Sequence, residues 1–115
     1  MTDAPASRSA RFDILLSGSA GPGVASTCSL VRDGDAVIVI APGLSPSQAA
    51  ILEPLAALGL GPSDVTDVVI SHHHPDHTLN VALFPSARVH DLWASYDFAG
   101  RWDVVDAEGR HLAPS

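Results

Sequence analysis

The sequence predicts an α+β domain: a mostly antiparallel sheet with a covering helix. Three observations carry this. Residues 11–40 hold β-type runs broken by turn signals, residues 41–64 change to a helical period, and "VTDVVIS" at 65–71 is a short β-branched run. At 115 residues the chain has one domain's length, and with 46% hydrophobic and 17% charged residues it has the composition of a folded chain. Residues 1–10, small and polar, are expected to form a flexible tail ahead of a domain over 11–115.

The elements follow in order. "RFDILLSG" reads as the first strand. "STCSLVRDGDAVIVI" contains the second and third, joined by a tight turn at Asp33-Gly34, so the domain opens as a β-meander. The Gly-Pro-Gly at 21–23 is a loop. In "APGLSPSQAAILEPLAALGLGPSD", Ser45, Pro46 and Gln48 suggest a capping box with proline at the first helical position. Ile51, Leu52, Leu55 and Leu58 make one apolar stripe, and Gly59 supplies the stop. Pro54 removes one backbone hydrogen bond and should kink this helix. "VTDVVIS" reads as a strand buried on both faces that delivers the chain to His72. Beyond it, "TLNVALFP" suggests a helical turn or two, "ARVHD" a short strand, and Glu108-Gly109 a hairpin turn. Trp93, Tyr96, Phe98 and Trp102 read as core packing rather than as the mouth of a site.

Composition removes several function classes. All six basic residues are arginine, thirteen acids outnumber them, and a formal charge of −7 argues against a broad nucleic-acid-binding surface. The single cysteine, Cys28, excludes an internal disulfide and any cysteine-based cluster, and its apolar surroundings suggest an inert buried thiol. No apolar run is long enough to span a membrane and the N-terminus does not read as a signal peptide, so a cytoplasmic location is expected.

The chemistry concentrates in "SHHHPDHTLN", residues 71–80. Neutral imidazoles and a carboxylate at the end of a buried strand suit zinc and related divalent metals. Residues two apart in extended chain share a side, so His72 and His74 can converge on one metal while His73 points away. Pro75 holds His74 towards extended conformations, and Asp76 and His77 follow the turn, placed to face a second cation. His90 and His111 read as surface or core residues rather than ligands.

The spacing His72-x-His74-x-Asp76-His77 reproduces the H-x-H-x-D-H signature, and the domain thereby resembles the metallo-β-lactamase-fold hydrolase superfamily over roughly residues 11–100. "LNVALFPSARVHD" is also similar to the stretch after the motif in a nuclease-like subgroup. The resemblance implies a four-layer αββα sandwich, of which this chain is expected to hold the N-terminal half only. It implies a site for one or two zinc ions, with iron or manganese as other occupants. His72 and His74 would hold the first metal; Asp76 and His77 would hold the second, with Asp76 also positioning the attacking water as the catalytic residue. The reaction implied is metal-assisted hydrolysis of an ester, thioester, lactone, lactam or phosphodiester, zinc lowering the pKa of a bound water to about 7.

Two departures qualify this. Ala41 stands where the family usually has an aspartate that buttresses the metal loop. The family's further ligands, a third histidine, a bridging aspartate and a last histidine, come from a later half that Ser115 precedes, so a truncated chain is expected. The alternative reading is a non-catalytic fragment that at most binds metal or associates with a partner chain, self-association through an unpaired sheet being one form.

Overall fold

The computed structural model describes residues 10–20, 24–91 and 94–104. The tail at 1–9, the loop at 21–23, Trp93, the turn near Glu108-Gly109 and His111 lie outside the described residues.

The predicted meander forms from β1 (Arg11–Leu16), β4 (Cys28–Asp33) and β5 (Ala36–Ile40). β1 pairs antiparallel with β4, and β4 with β5 across a turn where Gly34 takes φ +60°. Between them β2 (Ser19–Ala20) and β3 (Val24–Ala25) make a separate two-stranded ribbon that the sequence reading did not anticipate. The main sheet has seven strands in the order β1-β4-β5-β6-β7-β8-β9, with β6 at Asp67–Val69, β7 at Arg88–His90, β8 at Ala94–Tyr96 and β9 at Trp102–Val104. It is mixed. β5–β6 and β6–β7 are parallel because each connection crosses over through helical chain, whereas β7–β8 and β8–β9 are antiparallel.

The first crossover is α1 (Ala49–Ala57), which buries Ile51 and Leu55. Its start corrects the predicted cap: the helix begins after Gln48, with no side-chain cap. Ser45 is occupied elsewhere, its hydroxyl donating to the Ser47 carbonyl at 2.6 Å and accepting from Asn80 Nδ2 at 3.0 Å. A tertiary contact has taken the capping group. The C-terminus follows prediction. Gly59 takes φ +81°, its N–H donates to the Ala56 carbonyl and the Leu60 N–H to that of Leu55, which closes a Schellman motif. Pro54 lies inside the helix as expected.

The helix packs on one face of the sheet, where Leu30, Val39, Val68 and Val89 are fully buried with Ile51 and Leu55. Cys28 joins this core, and burial pushes its thiol pKa up to about 12, which leaves it inert at neutral pH. The opposite face corrects another expectation. β6 is not buried on both sides: Val69 is 37% exposed, and Phe12 and Ile14 on β1 are 61% and 56% exposed. Of the late aromatics, Tyr96 packs against the core, while Phe98 and Trp102 are 50% and 42% exposed, so core packing holds only for Tyr96 among those described. No helix among the described residues is long and apolar enough to cross a membrane.

Candidate metal centre

β6 ends at Val69, Ile70 donates its N–H to the His90 carbonyl, and the chain then leaves the sheet at Ser71. The histidines therefore sit at the carboxyl end of a central strand that is parallel to both neighbours. Residues 71–74 are irregular, and α2 (Pro75–Thr78) carries Asp76 and His77 on a single turn.

His72, Asp76 and His77 each bring one potential ligand atom to within 4.8 Å of the others. The ring of His77 lies 4.2 Å from that of His72 by centroids, and its Nε2 is 3.3 Å from Asp76 Oδ2. Ser71 Oγ is 2.9 Å from His72 Nδ1, so hydrogen bonding at Nδ1 leaves Nε2 as the free ligand atom. His74 stands beside this trio rather than in it. Its ring meets that of His72 edge to face at 4.6 Å. His73 turns the other way, with Nε2 2.6 Å from Asp91 Oδ2.

The trio suits a cation on two counts. Two imidazoles and a carboxylate are the donor set divalent metals take. In addition, His77 Nδ1 is buried with no hydrogen-bond partner among the described residues, an orphaned lone pair or N–H of the kind a bound group or water satisfies.

Three tethers hold α2 in place. The Ser26 N–H donates to the Asp76 carbonyl at 3.1 Å. Asn80 donates from its backbone to Pro42 and from Nδ2 to the Gly43 carbonyl at 2.6 Å. Gly43 itself lies against the Asp76 backbone so closely that any Cβ there would overlap the Asp76 carbonyl. Next to it Ala41, in the position where an aspartate was noted as missing, is buried with φ +57°, a left-handed conformation unusual for alanine. Its N–H donates to the Val69 carbonyl and its carbonyl accepts from Ser26 Oγ, and these bonds over-determine the backbone there.

A second polar cluster was invisible in the sequence. His90 on β7 bridges Asp67 on β6, with Nε2 2.7 Å from Oδ2, and Ser95 on β8, with Nδ1 2.8 Å from Oγ. Burial raises the pKa of Asp67, but hydrogen bonds from Thr66 and His90 and the charges of His90 and Arg88 outweigh it and hold the carboxyl below its ordinary range. Only the strand register, which pairs Val69 with His90 and His90 with Ser95, brings these residues together. Beside them Val69, Ile70, Ser71, His90 and Asp91 line a shallow pocket of about 280 Å³.

Comparison with known proteins agrees with the fold. The family model described as Metallo-beta-lactamase superfamily matches residues 21–108. Metallo-beta-lactamase domain-containing protein 1 of Mus musculus is 48% identical over 52 residues, which cover 45% of this chain and 19% of that protein. The Homo sapiens protein of the same name is 46% identical over 52 residues, covering 45% and 18%. The match thus spans less than a fifth of these curated relatives. A Thermotoga maritima crystal structure described as a provisional metallo-beta-lactamase superposes with a TM-score of 0.61 at 34% identity, covering 70% of this chain and 42% of that one. A chemotaxis sensor, ODP, solved as a peroxy diiron species, shares the fold at a TM-score of 0.56 and 18% identity, covering 70% and 32%.

Proposed function

The chain belongs to the metallo-beta-lactamase superfamily, and from that premise we propose that it forms the metal-binding part of a zinc-dependent hydrolase. The observation that carries the reading is the convergence of His72, Asp76 and His77 at the end of β6, with His77 Nδ1 left unpartnered. His72, Asp76 and His77 would hold the metal, with the His74 ring edge to face against that of His72. A divalent metal held by these residues would supply acidification of water and polarisation of a substrate oxygen. The residues supply the rest. Ser71 engages Nδ1 of His72 and leaves Nε2 free, α2 carries Asp76 and His77 on one turn, and the Asp76 carboxylate accepts a proton from water or orients it. An ester, thioester, lactone, lactam or phosphodiester fits this chemistry. A cytoplasmic location belongs to the same proposal.

Zinc analysis of the purified chain tests the metal. About one equivalent or more in wild type, lost in His72→Ala and His77→Ala, is the expected result. Absence of zinc after loading and desalting would sink the reading. Turnover of generic phosphodiester and ester substrates, removed by chelator and by Asp76→Ala, tests hydrolysis separately.

A second reading, metal binding or association without turnover, is favoured by the exposed apolar residues Phe12, Ile14 and Val69 on the open sheet face. Bound zinc with no turnover on any of these substrate classes would select it.

A further inference from the structure

His73 is the imidazole that the ligand group leaves out, yet it makes one of the shortest side-chain contacts in the molecule. We propose that His73 and Asp91 are a positioning pair that fixes the loop bearing His72 and His74 and so sets metal affinity. The inference rests on the metal reading above.

The argument starts from how the loop is held. Residues 75–80 are tethered by Ser26, Pro42 and Gly43. Residues 71–74 belong to no strand or helix, and the Ser71–His72 contact is between neighbours. Among the described residues, the long-range side-chain hydrogen bond made by this half of the loop is His73 to Asp91, 18 residues away. Without it, the backbone beside His72 is pinned only at Ile70 and again at α2.

Asp91 is a firm anchor. Its side chain is 11% exposed, against 59% for His73. Oδ1 accepts the Ala94 N–H at 2.7 Å, and the Asp91 N–H returns to the Ala94 carbonyl at 2.9 Å. The carboxylate is therefore held to Ala94 at the start of β8, and Oδ2 is in contact with His73. His73 donates from Nε2 to that oxygen. His72 and His74 flank His73 in the chain and their rings meet edge to face at 4.6 Å, so a bond that holds His73 on Asp91 restrains the backbone of both. The pair lies outside the candidate ligand group of His72, Asp76 and His77. It acts by restricting the backbone on either side of itself, which lowers the ordering cost when a metal binds.

Such a role separates from a merely structural one. His73 is mostly solvent-exposed, so its loss should leave the metal-free fold intact. The test titrates the full chain with Zn²⁺ in competition with a chromophoric chelator. In His73→Ala the stoichiometry should stay as in wild type while affinity falls about tenfold, the lower end of what outer-shell partners contribute. The thermal midpoint of the metal-free chain should not move. His73→Gln, whose side-chain amide can reach Asp91 as a donor, should recover most of the affinity. Asp91→Ala should match His73→Ala, and the double variant should be no weaker than either. Wild-type affinity in His73→Ala, loss of a whole zinc equivalent, or losses that multiply in the double variant would each overturn the proposal. If Asp91→Ala does not fold, the contrast between alanine and glutamine at 73 decides alone. Wild-type chain that takes up no zinc would fail the underlying metal reading, a result distinct from zinc-loaded wild type with an indifferent His73.

Discussion

Gly43 shows how a residue with no side chain governs a site 33 positions further along. Its backbone packs against the carbonyl of Asp76, and a methyl group there would occupy the same space. The obstacle is backbone, which cannot swing aside as a side-chain tip can, so α2 must shift or the 41–43 loop must open. Gly43→Ala should cost about 1–3 kcal/mol in a denaturant titration, the usual range for overpacking. It should also weaken zinc binding, because Asp76 and His77 ride on α2. Unchanged stability and unchanged zinc binding together would show that this close approach is not required. At this scale the sequence was informative about ligand types and silent about support. "SHHHPDH" declares its chemistry through residue identity and spacing. Nothing local marks Gly43 as the surface against which that motif is set, nor Asp91 as the partner of His73, since each depends on a fold that joins distant segments.

Elements were legible where they rested on local rules and less so where they rested on packing. The Asp33-Gly34 turn and the Gly59 stop follow from φ preferences, and both hold. The capping role given to Ser45 fails because Asn80 and Ser47 claim its hydroxyl. The parallel pairing of β5, β6 and β7 has no local signature at all. These strands are short, three residues each in β6, β7 and β8, and the Asp67–His90–Ser95 chain spans all three with side-chain hydrogen bonds. Its contribution should depend on pH with a definite sign. The folded pKa of Asp67 lies below its unfolded value, so the stabilisation is fully present above the unfolded value of about 4 and is lost as pH falls through the folded one. Asp67→Asn should therefore flatten part of the acid limb in a plot of unfolding midpoint against pH. Its effect relative to wild type should be greatest near neutrality and shrink below pH of about 4. A variant whose acid limb overlays that of wild type would show that Asp67 carries none of it.

For the whole molecule, the decisive feature is a sheet with a helix on one face and, among the described residues, exposed apolar side chains on the other. The packed face buries the core of Leu30, Val39, Val68 and Val89, while the other presents Phe12, Ile14 and Val69 to solvent. In the β1–β4–β5 register, Phe12 pairs with Val31 and Val31 with Ile38, so the apolar residues form a continuous band across three strands. Two forms of self-association compete for such a surface. Pairing edge to edge would use the free side of β1, but Arg11 and Asp13 on that strand form an ion pair at 3.2 Å, and charges of this kind discourage edge pairing. Pairing face to face instead buries Phe12 and Ile14, each worth roughly 1.5–3 kcal/mol if fully covered. A formal charge of −7 opposes either arrangement at low ionic strength, and salt relieves that repulsion once the screening length falls to about 10 Å near 0.1 M. Sedimentation velocity should then show association that strengthens with added salt. Phe12→Ser with Ile14→Ser should abolish it, whereas Arg11→Ala should leave it or strengthen it modestly by freeing the edge. A chain that stays monomeric at high concentration and high salt would leave this face without a partner copy. Association unaffected by the two serine substitutions would place the contact on another surface.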